Sequence, residues 1–354
     1  MQTIRHRLAS IVTVIVMMGV AFVVPYSHVL AASNSLGVNP RRDYTIKAGE
    51  KVSDTIYVTN LSKTDGLTID IQLVDFGAKD ETGSPKLLLG QKEPTRWSLK
   101  SYLTVVKNVK IAAGQSTQIP FTIAIPANVG AGSYYGAIKY STGGDGGTSS
   151  NVSLTSSSAT LVFVRVPGEA NDALLLKEFG AFTPNMAGDT GDFGSFYGGS
   201  APKYLSYRLT NTGNVAEQPN GSVVLKDMFG KQTKLFEKAN PNNNIVLIDQ
   251  TRRFDLCLNG EKTTQKDKET GRDVDVSKCK DSRLKPGRYT AQIDIVYGDN
   301  GSAQHELRKV ASFWYLPLWF IIAIAVVLLL IAGIVWLLVH TIRGKKKYRS
   351  AVRR

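Results

Sequence analysis

The chain is poor in the residues from which most active sites and metal centres are built. It has only four histidines, and three of them, His6, His28 and His340, lie in or beside its two long apolar segments. No nucleophile elbow, phosphate-binding loop or histidine zinc motif occurs in the sequence. We therefore predict a protein that is not an enzyme and that holds no metal or cofactor. Paired carboxylates have no characteristic spacing, so a cell-wall hydrolase stays open as a third hypothesis.

Cysteine is also scarce, since Cys257 and Cys279 are the only two in the chain. Two thiolates do not complete the tetrahedral shell of a structural zinc site. We predict that they form a disulfide, which would close a loop of about 22 residues. The segment from Asn259 to Lys278 that they enclose is strongly charged and nearly free of apolar residues, which is typical of an exposed insertion.

The body of the chain lacks the helical period and shows alternation instead. Two runs show it clearly, Leu67 to Leu73 and Ile119 to Ile125, where every second residue is apolar. Short alternating runs separated by turn residues predict half-buried strands, and many of them in series predict β-sandwiches. The fold class expected is all-β, with immunoglobulin-like sandwiches at 33–168 and 169–312. Ala131 to Tyr134 and Pro286 to Tyr289 repeat one pattern, which indicates two related units.

One uncharged apolar run, Leu316 to Val339, is long enough to cross a bilayer as a helix. Seven basic residues and no acidic residue follow it. Because basic residues stay on the cytoplasmic side, we predict a single-pass protein of the cell membrane with its C-terminus inside and its N-terminus outside. The expected segments are a transmembrane helix at 313–340 and a cytoplasmic tail at 341–354.

The N-terminus has the layout of a secretory signal. Arg5 and Arg7 precede an apolar stretch that leads to small residues at Ala31 and Ala32, near which we expect cleavage of a signal peptide at 1–32. An uncleaved anchor is the alternative. The tail and this segment carry nine of the positive charges behind the net charge of +14. The remaining +5 gives a nucleic-acid partner little support.

Two places carry aromatic residues that we predict to contact a ligand or partner. Tyr135 alternates with the core positions of its strand and should face outward, in a segment where Gly136 permits close backbone approach. Phe193, Phe196 and Tyr197 stand in a glycine-rich loop, where exposed aromatics suit carbohydrate or protein contact. The alternative for the loop is that its aromatics fold back over the sandwich.

The layout resembles the WxL-interacting proteins of bacterial surfaces. The likeness rests on these segments of the first unit: Gly37-Val38-Asn39-Pro40, Lys47-Ala48-Gly49-Glu50, Val58 to Ser62, Ile119 to Pro126, Gly132 to Gly136 and Leu161 to Val166. The resemblance implies that the first unit binds peptidoglycan and that the second holds a surface protein. The second unit departs from the family in its aromatic loop and its cysteine-enclosed insertion.

Two functions follow as expectations. The first is a non-catalytic, membrane-anchored scaffold or adhesin that binds peptidoglycan, a surface protein partner, or both. The alternative is an extracytoplasmic chaperone or assembly factor for exported surface subunits, which would offer a free edge strand to its client.

Overall fold

The computed structural model describes residues 36–142, 157–185, 190–266, 273–298 and 304–351. Within these ranges the chain forms two β-sandwiches followed by one long apolar helix. The predicted fold class, all-β with immunoglobulin-like sandwiches and one helix, is confirmed. The expected cleavage site at Ala31 and Ala32 lies outside the described residues.

The first sandwich packs a four-stranded sheet against a five-stranded sheet. Its strands are β1 (Leu36–Val38), β2 (Arg41–Thr45), β3 (Lys51–Asn60), β4 (Leu67–Val74), β5 (Phe76–Ala78), β6 (Pro85–Leu87), β7 (Leu103–Val105), β8 (Asn108–Ile111), β9 (Ser116–Ala124), β10 (Gly132–Thr142) and β11 (Ser157–Val166). The sheet orders are β1-β3-β9-β7 and β2-β11-β10-β4-β8, while β5 and β6 form a separate hairpin. Strand β2 joins the second of these sheets in parallel with β11.

The second sandwich repeats this architecture. Its strands are β12 (Leu174–Pro184), β13 (Gly191–Gly194), β14 (Phe196–Tyr197), β15 (Tyr204–Asn211), β16 (Asn220–Asp227), β17 (Gln232–Phe236), β18 (Thr251–Cys257), β19 (Gly260–Lys266), β20 (Asp273–Cys279), β21 (Gly287–Tyr297) and β22 (His305–Tyr315). The sheet orders are β13-β12-β15-β18 and β14-β22-β21-β16-β17. Here the short strand β14 pairs in parallel with the last strand, β22.

Two polar features recur in the sandwiches at equivalent places. The hydroxyls of Tyr134 and Tyr289 donate to backbone carbonyls four residues upstream, at Gly130 (3.1 Å) and Lys285 (2.8 Å). This contact is the tyrosine corner of immunoglobulin-like domains. The buried amides of Asn60 and Asn211, at the ends of β3 and β15, both donate to backbone carbonyls of nearby loops. The repeated sequence patterns therefore mark the same structural positions.

The cores follow the alternation read from the sequence. In β4 and β9 every second residue is buried, including Ile69, Ile71, Ile119 and Ile123. In the second sandwich the same holds along β21, where Ala291 and its alternate neighbours pack into the core. Burial of these side chains stabilises each sandwich by roughly 25 cal/mol for each Å² of apolar area that is removed from water.

The last strand is longer than the sequence analysis predicts. Strand β22 includes Trp314 and Tyr315, so the second sandwich ends at Tyr315 rather than at residue 312. Tyr315 pairs with Gly287, and β14 covers the outer side of this strand end. Helix α1 (Leu318–Ala351) then begins after only two residues. Its first 24 residues are apolar and long enough to cross a membrane, and none is buried in protein.

Cys257 and Cys279 form the predicted disulfide. The bond joins the end of β18 to the end of β20 and so closes the base of the β19–β20 hairpin. This hairpin is the expected insertion, and it extends from the second sandwich at the end nearer to helix α1.

Candidate functional site

The two sandwiches are joined by an apolar interface that has Tyr135 at its centre. Its side chain is 0% exposed and packs against Trp97, Phe76 and Phe163 with ring centroids 5.1–5.6 Å apart. Leu247 and Ile248 of the second sandwich belong to the same buried cluster. The expectation of an exposed contact residue at position 135 is therefore wrong. Tyr135 does point away from its own core, but the second sandwich covers it.

Polar contacts surround this apolar cluster and fix the two sandwiches relative to each other. The β5–β6 hairpin reaches across the boundary, where Arg208 donates to the Glu81 carboxylate (2.6 Å) and the Arg253 amide donates to the Glu81 carbonyl (2.6 Å). On the other side the Arg96 guanidinium donates to the Asp249 carboxylate (2.6 Å). Bonds on both sides of an apolar centre oppose rotation of one sandwich against the other.

A cleft of about 610 Å³ opens beside this interface. One wall is the outer face of β2 and β11, which presents Arg41, Asp43 and Arg165. The facing wall comes from the second sandwich and includes Glu217 and Tyr297. Its volume lies in the range of ordinary ligand sites, and its lining is largely polar. It is the candidate functional site.

Strand β2, which lines this cleft, also has an unpaired backbone edge. The strand is the last in its sheet, and its Arg42 and Tyr44 alternate with Arg41, Asp43 and Thr45. The amide of Ile46 donates to the Arg165 carbonyl in the neighbouring strand. By the two-residue repeat, the N–H groups of Arg41, Asp43 and Thr45 point away from β11. No strand among the described residues pairs with that side.

Side-chain contacts hold β2 in place. Arg41 forms an ion pair with Asp43 (2.7 Å) and lies 4.9 Å from the centroid of the Phe163 ring. Tyr44 packs toward the core and donates to the Asp54 carboxylate (2.5 Å). Burial and this acidic acceptor raise the pKa of the Tyr44 hydroxyl, which stays protonated and keeps the strand tied to β3. The unpaired edge is thus held in a fixed position.

Glu217 lines the cleft, and the buried carboxyl of Asp172 lies beside it. Glu217 accepts a hydrogen bond from the Gly298 amide (3.2 Å), but its Oε1 and both Asp172 oxygens have no partner as ionised groups. Burial, and then the neighbouring Asp172, raises the pKa of Glu217 to about 8. A proton on Glu217 therefore supplies the donor that two carboxylates lack.

Arg165 balances the remaining charge of this pair. Burial lowers its pKa, while Asp172 and Glu217 act in the opposite direction. With Glu217 protonated, one carboxylate and one guanidinium remain in this buried cluster. Ionisation of Glu217 would add an uncompensated negative charge there.

The aromatic loop predicted from the sequence lies at the other end of the second sandwich. Phe193 is half-buried against Phe182 (ring centroids 5.1 Å apart), and Tyr197 packs against Phe313 in the core (5.9 Å). Phe196 is exposed. Two of the three aromatics thus fold back over the sandwich, as the alternative proposed. At about 3.4 Å per residue, strand β22 separates this loop from the cleft by roughly 30 Å, so the structure does not bring it together with Tyr135.

Sequence reasoning missed the β2 edge and the buried acid pair. The edge has a weak sequence signal, because three consecutive charged residues, Arg41 to Asp43, precede Tyr44 in a short run near the start of the first sandwich. Glu217 has none. Its partner Asp172 lies 45 residues earlier in the chain, and the folding of the second sandwich makes them neighbours, since the Asn171 and Ala173 carbonyls accept from the Asn214 and Thr212 amides.

No protein-family model and no curated protein matches this chain. Among solved structures it is similar to the class 5 fimbriae chaperone CfaA, with 13% identity and a TM-score of 0.37 over 78% of this chain and 98% of the other. It is also similar to the E. coli chaperone DraB, with 13% identity and a TM-score of 0.33 over 77% and 97% of the two chains. Similarities this low assign no partner or activity.

Proposed function

We propose that this chain is a non-catalytic, membrane-anchored assembly factor. It would hold an extended segment of an exported surface polypeptide along the free edge of β2, in the cleft between the sandwiches. The observation that carries the proposal is this unpaired edge, on a strand that also lines a cavity of about 610 Å³. Helix α1 would keep the body at the membrane surface, where exported chains emerge.

The geometry suits recognition by strand addition. An added strand gains main-chain hydrogen bonds from the edge and places alternate side chains in the adjoining pocket. The N–H groups of Arg41, Asp43 and Thr45 offer three donors over about 13 Å. Asn220 and Gln304 line the same cleft, and their side-chain amides can form hydrogen bonds with the outer edge of the added client strand. Because the interface opposes rotation of the two sandwiches, the cleft is preorganised, and the protein loses little conformational entropy on binding.

The orientation proposed for this body is outside the cell. Seven basic residues follow the apolar run, and basic residues next to a membrane helix stay cytoplasmic. Both sandwiches precede the helix, so they would lie on the opposite side. The Asp172–Glu217 pair does not favour the hydrolase hypothesis, since Asp172 is near enough to accept a hydrogen bond from protonated Glu217, whereas the two carboxyls of a glycosidase stand roughly 5–9.5 Å apart.

Proline at position 43 should abolish client capture. Asp43→Pro removes one outward N–H group. It removes no bond to β11, because the Asp43 N–H points away from that strand, and prolines are tolerated on edge strands. In the test, the full-length protein and its variants each carry a benzophenone on a cysteine introduced by Thr45→Cys. Each is mixed with the solubilised envelope of the source organism and irradiated, so that a bound polypeptide becomes cross-linked. We expect Asp43→Pro to lower the yield of cross-linked polypeptide at least tenfold, since main-chain bonds supply the affinity.

Asp43→Ala is the matched control, because it removes the same side chain and keeps the N–H group. Its cross-linking should stay within about twofold of the parent protein. Thermal melts of both variants establish that the sandwich is folded. Equal cross-linking by the proline and alanine variants would contradict recognition by the strand edge.

A second candidate is the binding of peptidoglycan at the same cleft. Four side-chain amides line it, Gln218, Asn220, Asn243 and Gln304, and Tyr297 adds an aromatic ring. Amides that bond to hydroxyls beside an aromatic face suit a glycan. The test is sedimentation of the full-length protein with insoluble peptidoglycan. Glycan binding predicts that Asn220→Ala with Gln304→Ala reduces the sedimented fraction several-fold, whereas Asp43→Pro leaves it unchanged. No sedimentation above that of an unrelated sandwich removes this candidate.

A further inference from the structure

The turn between β16 and β17 exposes two large apolar side chains to solvent. Phe229 is 86% exposed and Met228 is 57% exposed. The turn itself is well ordered by hydrogen bonds, since the Asp227 carboxylate accepts the amides of Phe229 and Lys231, both at 2.9 Å. Exposure of the Phe229 ring to water is unfavourable, and the ring makes no packing contact inside the fold that would offset it. Such a residue points to a surface that covers it.

The strand register places this turn at the level where the chain enters helix α1. Asp227 pairs with Tyr289, which pairs with Phe313 in the last strand. The turn extends about two residues beyond Asp227, so Phe229 lies near the level of Tyr315. Two strand spacings of about 4.8 Å separate β16 from β22 sideways. Phe229 is therefore a near neighbour of the point where the apolar helix begins.

A second cavity, of about 600 Å³, lies between this turn and the segment that leads into β21. Met228, Leu284 and Pro286 supply apolar lining. The charged residues around it are five cations and one carboxylate: Lys231, Lys234, Arg283, Lys285 and Arg288 with Asp227. Since the Asp227 carboxylate is already bonded to the turn amides, the cations face outward without an acidic counterpart in that cavity.

Other exposed aromatics lie at the same end of the second sandwich. Phe196 pairs with Trp314 where β14 meets β22, and both side chains are exposed. Trp319 is exposed in the first turn of helix α1. Aromatic rings of this kind settle at the headgroup level of bilayers, and exposed apolar residues among cations are the composition of surfaces that lie on anionic membranes.

We propose that this end of the second sandwich rests on the leaflet that helix α1 enters. Phe229 and Met228 insert among the headgroups, and the cavity beside them takes an anionic phospholipid headgroup on Lys285 and Arg288. The inference rests on the membrane anchor of the proposed function, but not on its client site. It would fix the tilt of the two sandwiches, because the helix and the turn contact the bilayer at two separate points.

Spin labels on the full-length protein in vesicles test this contact. Single cysteines are introduced by Phe229→Cys, Leu89→Cys and Ile331→Cys, and each carries a nitroxide. Leu89 is an exposed apolar residue of the first sandwich, and Ile331 lies in the middle of the apolar helix. In vesicles of phosphatidylcholine and phosphatidylglycerol at 3:1, we expect label 229 to favour oxygen over a nickel chelate as collision partner. Label 89 should favour the chelate, and label 331 should favour oxygen most strongly.

The three labels separate the possible failures. If label 229 is as accessible to the chelate as label 89 while label 331 lies in lipid, the proposed contact is overturned and the membrane anchor is not. Label 331 in water overturns the anchor itself. Lys285→Glu with Arg288→Glu should move label 229 toward the aqueous value in these vesicles. An unchanged depth in that variant, or in vesicles of phosphatidylcholine alone, overturns the assignment to anionic headgroups.

Discussion

Tyr135→Ala is expected to destabilise the protein by about 3–5 kcal/mol, the range for removing a large aromatic side chain from a core. Its ring is fully buried and stacks on Trp97, while Phe76 and Phe163 contact its other sides. The cavity would open at the boundary between the sandwiches, where Leu247 and Ile248 pack. The two units should therefore melt at different temperatures in the variant. Scanning calorimetry of the full-length protein in detergent measures both effects.

Tyr57→Ala is the matched control, because Tyr57 is 53% exposed on the same sandwich. It should change the stability by less than about 0.5 kcal/mol, as surface substitutions usually do. Tyr135→Phe keeps the ring contacts and should melt close to the parent protein. A Tyr135→Ala protein that melts normally but no longer binds its client would contradict the interface role and restore a direct contact.

The sequence predicts the sandwiches well because alternation is a local property. Ile69 and Ile71 show their burial through their own neighbours, and the two tyrosine corners lie where the sequence repeats one pattern, at Ala131 to Tyr134 and Pro286 to Tyr289. The long apolar helix is equally local, since its length and its lack of charge are read from the segment itself. The end of the last strand was misplaced because Trp314 and Tyr315 have the composition of a membrane interface as well as that of a strand.

The interface and the cleft are not predictable in this way. The prediction that Tyr135 points out of its sandwich is correct, yet what covers it comes from Leu247 and Ile248, more than a hundred residues later in the chain. Strand β2 is an edge only because no other described strand reaches its outer side. Contacts between surfaces that are distant in the chain leave no periodic pattern and no motif in the sequence, so they can be identified only in the packed structure.

The buried acid pair predicts that stability falls as the pH rises from about 5 to 8. Unfolded glutamate titrates near its ordinary pKa of 4.5, whereas Glu217 has a pKa of about 8 in the fold. Between these values the native state holds one proton more than the unfolded state, so raising the pH favours unfolding. Below the lower value both states are protonated, and above the higher value both are ionised, so the effect is confined to this window. The loss is up to about 1.4 kcal/mol of unfolding free energy for each pH unit.

Glu217→Gln should remove this dependence. The glutamine oxygen can still accept from the Gly298 amide, and its NH₂ group can donate to Asp172 as the protonated acid does. Melting curves at pH 5 should then coincide for the two proteins, while at pH 8 the variant should melt higher by on the order of 5 °C. Glu237→Gln, at an exposed position, should keep the parent's slope. A slope that survives in Glu217→Gln would mean that the proton resides on a group other than Glu217.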